Sequence, residues 1–145
     1  MVQKQRFEGG CLCGAVRYRA STKPVRGVIC HCAMCRKHSG APALAFVHFP
    51  IESFTWLAGE PNWYRSSPYA ERGFCPNCGS TLAMREAVLK DRVQVCAGSL
   101  DEAHRVTIDD HVWTHEQLAW FEIKDALPRY PRSSPVVPSK ALEVE

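Results

Sequence analysis

The chain lacks any apolar run of about 18 residues, the length a membrane-spanning helix requires, and no segment shows the sustained 3.6-residue period of a long amphipathic helix. It also lacks a G-x-G-x-x-G stretch or a P-loop, so neither a dinucleotide nor a nucleoside triphosphate is an expected ligand. Charge of either sign is not in excess. Eighteen basic against fifteen acidic side chains leave +3 with neutral histidines, too weak a balance for a nucleic-acid footprint. The opening "MVQKQRFEGG" has no apolar h-region of a secretory signal, so the expected location is the cytoplasm, where thiols stay reduced. Neither a membrane nor nucleic acid is an expected partner, and nothing in the sequence sets an oligomeric state.

Cysteine, by contrast, is abundant: eight in 145 residues. A chain of this length buries roughly two thirds of its unfolded surface in one domain and needs no staples. Its cysteines therefore call for a chemical role.

Short segments with period-two alternation, separated by Gly, Pro, Ser and Asn, dominate. In "AVRYRA", Val16 and Tyr18 point one way and Arg17 and Arg19 the other. "RGVIC", "ALAFVHF", "SFTWLA", "NWYRSS" and "DRVQVCA" read the same way, which predicts a mostly-β domain over residues 1–130. Helix is expected only as a turn or two, at Ala33 to His38 and near Leu89 and Glu116. Residues 131–145, with three prolines after Tyr130, read as an extended or disordered tail.

Seven cysteines fall in three clusters: C-x-C at Cys11 and Cys13, C-x-C-x-x-C at Cys30, Cys32 and Cys35, and C-P-N-C-G at Cys75 and Cys78. A C-x-x-C turn followed by Gly aims two sulfurs at one ion, and C-x-C does so from alternate residues of a strand. Two plus two closes a four-cysteine structural zinc site from Cys11, Cys13, Cys75 and Cys78. Cys30, Cys32 and Cys35 then hold a second zinc with one position open, the arrangement of a catalytic site. The competing arrangement joins Cys32 and Cys35 to Cys75 and Cys78 as a zinc ribbon and leaves Cys11, Cys13 and Cys30 aside. A disulfide or thioredoxin-like reading lacks its βαβ context. His31, between two ligands on one strand, should face away from their ion, whereas His38 is better placed to reach it. Cys96 reads as a buried structural thiol.

The order "GGCLCGAVRY", "CHCAMCRKHSG", "FCPNCGSTL", "AGSLD", "HVWT" and "LPRYP" resembles the glutathione-dependent formaldehyde-activating enzyme family, which includes centromere-protein-V-like proteins. The resemblance runs from about Gly9 to Pro131. It implies a β-tent of stacked antiparallel sheets, a structural zinc on Cys11, Cys13, Cys75 and Cys78, and a catalytic zinc on Cys30, Cys32 and Cys35. It also implies a carbon–sulfur lyase activity, the addition of glutathione or a similar thiol to formaldehyde or another small carbonyl to give an S-hydroxymethyl adduct.

Three thiolates give a zinc ion a net charge of about −1 and make it a weak Lewis acid, better suited to holding a fourth thiol as thiolate than to activating water. Arg36, Lys37, Arg65 and Arg72 are the candidate partners for the glutathione carboxylates. Trp113 and Trp120 are candidate pocket walls, and Ser39 and Gly40 a turn after the second cluster. The rival reading is a non-catalytic scaffold or binding protein with two structural zincs, its second site closed by a fourth protein ligand. A chromatin-binding module, suggested by the centromere-protein-V-like relatives, is disfavoured by the low net charge.

Overall fold

Alternation organises most of this chain into strands too short to stand alone, which the fold pairs into two sheets. In the computed structural model, which describes residues 5–135, β1 (Phe7–Gly10), β2 (Arg17–Ala20) and β5 (Phe54–Ala58) form a small sheet in the order β1-β2-β5. The large sheet joins β3 (Arg26–Cys30), β4 (Leu44–Pro50), β6 (Asn62–Ser67), β7 (Ala70–Phe74), β8 (Thr81–Glu86), β9 (Arg92–Cys96) and β10 (Asp110–Val112) in the order β10-β3-β4-β9-β8-β7-β6. The expected stacked antiparallel sheets need one amendment, because β10 runs parallel to β3.

Six of these strands lie where alternation predicts them. The other four, β1, β7, β8 and β10, carry weaker patterns. β1 is "FEGG", and Gly9 is required there by closeness rather than by propensity: a Cβ would stand 2.4 Å from Tyr18 Oη and 2.5 Å from the Ser99 carbonyl. β7 places a charged side chain, Arg72, inside the protein. The single α-helix among the described residues, α1 (Ala33–Ser39), follows β3 directly, and Gly40 ends it in the left-handed region at φ 75°. Near Leu89 the chain makes only a hydrogen-bonded turn, Leu89 N–H to Glu86 C=O at 3.1 Å, and near Glu116 a 3₁₀ turn, Thr114–Glu116.

Both faces of the central strands are used. Val47 and Phe49 of β4, with Val93 and Val95 of β9, pack with Phe7 and Tyr18 of the small sheet and with Val16 just before β2 to form the main core. Their neighbours in sequence necessarily point to the opposite face. There Val28, Phe46, Met84 and Cys96 form a second apolar cluster beneath Cys30, Cys32 and Cys35. Burying an aromatic or branched side chain is worth about 1.5–3 kcal/mol, so register is strongly held on both faces: a one-residue slip of β4 would exchange Phe46 and His48 for Val47 and Phe49.

After β10 the chain returns along it. The amide of His111 donates to the Pro128 carbonyl (2.9 Å), and that of Trp113 to the Arg132 carbonyl (3.0 Å). Ser134, within the segment read from sequence as tail, is buried at the second cluster. The rest of that segment, 136–145, lies outside the described residues.

Candidate metal centres and a cavity

The first centre is made by two turns. The chain leaves β1 at Gly10 and reverses through Cys11 and Cys13; the β7–β8 connection brings Cys75 and Cys78 to the same place. Gly14 (φ 81°) and Gly79 (φ 77°) take the left-handed backbone these reversals require. The four Sγ atoms lie within 4.8 Å of one another, with Cys11–Cys13 at 3.6 Å and Cys13–Cys75 at 3.8 Å. Sulfurs at the corners of a tetrahedron about 2.3 Å from zinc are about 3.8 Å apart, so the spacing fits.

Donors already face these sulfurs. Val16 N–H meets Cys11 Sγ at 3.2 Å, Cys78 N–H meets Cys75 Sγ at 3.4 Å, and Asn77 Nδ2 meets Cys13 Sγ at 3.2 Å. The Ser80 hydroxyl, with backbone help, holds the Cys78 thiol down to about 5.

The second centre sits where β3 runs into α1. Cys30 ends the strand, and Cys32 is the N-cap of the helix, its Sγ accepting the Cys35 amide at 3.3 Å; Cys35 lies in the first turn. The Glu116 carboxylate takes the Ala33 amide at 3.1 Å and completes the cap from across the fold. The three Sγ atoms are mutually within 4.8 Å and all three residues are buried. Among the described residues no further Cys, His, Asp or Glu joins the trio or the quartet. The two groupings are separate, so the zinc-ribbon pairing of Cys32 and Cys35 with Cys75 and Cys78 is not the one the fold makes.

Three buried thiols cannot all ionise without a cation. In the trio the thiols of Cys30 and then Cys35 donate to Cys32 and pull it down to about 2. Cys30, donating to Cys32 and then Cys35, is pushed well above its ordinary value. Cys35 is pulled down by Cys30, but its own donation to Cys32 and its burial prevail and push it up to about 12. An ion in place of the shared protons would let all three be thiolates. All-sulfur donor sets of this kind suit soft ions such as zinc.

Arg72, 3% exposed, reaches from β7 to place Nη1 3.2 Å from Cys35 Sγ, while its Nε donates to Ser66 Oγ at 3.1 Å. Behind the trio, His31 is fully buried and faces away. Asp125 Oδ2 accepts from His111 Nε2 (2.9 Å), and Nδ1 of that ring lies 2.9 Å from His31 Nε2. This chain of hydrogen bonds ties the junction of β3 and α1, which carries Cys30 and Cys32, to β10 and to the returning segment. His38 does not reach the trio, and Cys96, pushed up to about 12 by burial, belongs to neither centre.

A cavity of about 370 Å³ opens beside the trio. Of the four basic candidates, Arg72 lines it, whereas Arg36, Lys37 and Arg65 do not; Trp113 lines it and Trp120, 73% exposed, does not. Three polar residues that sequence reasoning missed, Arg26, His48 and Gln94, also line it. Only Arg26 gave a signal, since it shares the phase of Val28 and Cys30; His48 and Gln94 lie on the phase opposite Val47, Phe49, Val93 and Val95, which hides them.

Comparison with known proteins places these features in context. The family model for the glutathione-dependent formaldehyde-activating enzyme matches residues 6–116. An uncharacterized lyase of Schizosaccharomyces pombe is 40% identical over 78 residues, 52% of this chain and 55% of its own, so the chain spans about half the length of that relative. A Halomonas elongata protein, provisionally named a glutathione-dependent formaldehyde-activating enzyme, is 30% identical over 129 residues, 81% of each chain. A crystal structure of a Rhodobacter sphaeroides protein shares the fold at TM-score 0.55 and 20% identity, over 66% of this chain and 88% of that one.

Proposed function

Because the chain belongs to the glutathione-dependent formaldehyde-activating enzyme family, we propose that it joins glutathione or a similar thiol to formaldehyde or another small carbonyl at the Cys30, Cys32 and Cys35 end of the cavity, with two zinc ions per chain. One observation carries this reading. A buried trio of sulfurs, not joined by a fourth Cys, His, Asp or Glu among the described residues, opens onto a cavity of about 370 Å³.

In this proposal Cys11, Cys13, Cys75 and Cys78 hold a structural zinc at the junction of β1 and the β7–β8 turn, and the trio holds the second. A bound zinc ligated by three thiolates supplies the means to keep an added thiol ionised at neutral pH. The rest is done by the chain. Val28, Phe46 and Met84 keep the wall beside the trio apolar, which favours the free carbonyl over its hydrate and strengthens polar contacts made there. In the reaction the thiol sulfur bonds to the carbonyl carbon, the π pair moves to oxygen, and the proton lost from sulfur ends on that oxygen. Electrons and atoms balance without oxidant, reductant or nucleotide. Arg72, already at hydrogen-bond distance from Cys35 Sγ, is the side chain positioned to donate to an oxygen that gains charge beside these sulfurs.

The test is exchange NMR of glutathione and formaldehyde, with and without the zinc-loaded protein. Faster formation of S-hydroxymethylglutathione is expected. An unchanged exchange rate, with two zincs still bound, would discard the activity and leave the scaffold reading standing.

A further inference from the structure

The cavity is deeper than its sulfur end. Across the large sheet, residues opposite one another in register share a face, and Arg26, His48, Gln94, Met84 and Arg72 form one such row over β3, β4, β9, β8 and β7. Between this row and Cys30 lie Val28, Phe46 and Cys96. Four residues along β3, at about 3.3 Å each, put the Arg26 Cα about 13 Å from that of Cys30.

Three residues of the row are buried with unused polar atoms. Arg26 is 8% exposed, His48 3% and Gln94 4%. Arg26 Nη2 meets Asp110 Oδ1 at 2.6 Å, yet its Nε and Nη1 have no partner; neither have His48 Nε2 and Gln94 Nε2. The state of His48 follows from its neighbour. Arg92 Nη1 lies 3.4 Å from His48 Nδ1, and a guanidinium only donates, so Nδ1 accepts and Nε2 carries the proton. Burial first, and then Arg26 and Arg92, hold that imidazole neutral, down to about 3. Every one of the unused groups is therefore a donor. Buried donors of this kind are rarely left unmatched.

We propose that Arg26, His48 and Gln94 form a subsite for a carboxylate of the substrate in the cavity onto which the sulfur trio opens. A carboxylate offers only acceptors and suits a guanidinium that has two N–H groups to spare. Glu86 and Glu116 also line the cavity and are acceptors, but neither reaches these donors, which have no partner, and Glu116 is engaged by Ala33. Formaldehyde has no carboxylate to offer these donors. The carboxylate comes either from the thiol, as in glutathione, or from a carbonyl reactant that is itself an acid. This subsite deepens the activity proposed above and rests on it for the identity of the reactants, but not for the binding of a carboxylate.

The zinc-loaded full chain serves for the test. In the ¹⁵N-histidine spectrum acetate should shift the Nε2 resonance of His48, whether or not the protein accelerates any reaction; no shift at saturating acetate, or an equal response to acetamide, overturns the subsite. His48→Leu and Gln94→Leu leave the Arg26–Asp110 pair intact. Each should weaken glutathione or an aldehyde acid such as glyoxylate about tenfold, the worth of one hydrogen bond to a charged group, and leave cysteamine, a thiol without carboxylate, unchanged. Loss with glutathione assigns the carboxylate to the thiol; loss of a preference for glyoxylate over formaldehyde assigns it to the carbonyl. Equal weakening of cysteamine, or no weakening of either acid, refutes the proposal. Failure of the exchange experiment with a positive acetate response discards the reaction and keeps the subsite.

Discussion

Replacing Arg72 with methionine separates the two centres. The guanidinium is almost fully buried and makes one hydrogen bond to Cys35 Sγ (3.2 Å) and one to Ser66 Oγ (3.1 Å). Methionine fills a similar volume and keeps the wall apolar, so the change removes the donor with little loss of packing. A hydrogen bond to a charged group is worth about 1.5–3 kcal/mol, and loss of a partner that orients a metal ligand lowers affinity about 10–100-fold. The two estimates agree, since about 1.4 kcal/mol is a factor of ten. Arg72 bonds to no sulfur of the first centre, so only one of two zincs should be affected. Titration with a chromogenic chelator reads this directly: wild-type protein should release zinc in two steps, and Arg72→Met should move only the easier one, by one to two decades in chelator. Arg72→Lys, which keeps the charge but not the planar fork, should fall between. Superimposable release curves, or equal movement of both steps, would refute the assignment of Arg72 to the second centre.

Three further outcomes are expected. Cys32→Ala should retain one zinc per chain and a cooperative melt; if the variant is unfolded, the second centre is structural rather than open. Asp110→Asn leaves the buried Arg26 guanidinium without its counter-charge, which should cost about 3–5 kcal/mol and lower Tm by about 10–20 °C; a shift of only a degree or two by scanning calorimetry would show that the pair is dispensable. Asp125 is held down to about 2, chiefly by the His111 N–H. Its contribution is therefore complete above the ordinary carboxylate value of about 3.9 and is lost as pH falls through the folded value. Urea melts between pH 5 and pH 2 should show a shallower acid loss for Asp125→Asn than for the wild type, and parallel curves would exclude this contribution.

Much of the cysteine grouping was legible because it is local. C-x-C and C-x-x-C-G each hold two sulfurs within a single turn or strand, and period-two alternation marked Arg26–Cys30, Leu44–Pro50 and Arg92–Cys96 as strands. The basic candidates were less legible, since nearness in sequence to Cys35 does not decide which way a side chain points. Arg36 and Lys37 follow the trio on α1 and miss the cavity, whereas Arg72, 37 residues away, touches the sulfur. The strand at Ala70–Phe74 was hidden because a buried arginine breaks the apolar phase that strand reading depends on, and that at Thr81–Glu86 because Leu82, Ala83 and Met84 are buried in succession and leave no alternation.

What the sequence determined by itself was the inventory: two pairs and one trio of thiols, short strands of known phase, and glycines where tight reversals needed them. Ligand geometry within a few residues follows from backbone spacing, which is the same in any fold. What only the tertiary structure decided was the company those ligands keep. Arg26, His48 and Gln94 become one row of donors because β3, β4 and β9 pair in a particular register, and register is set by packing on the far face of the sheet, by Val47, Phe49, Val93 and Val95 against the small sheet. The chemistry at one end of the cavity is written in single turns; the specificity at the other depends on contacts between strands far apart in the chain.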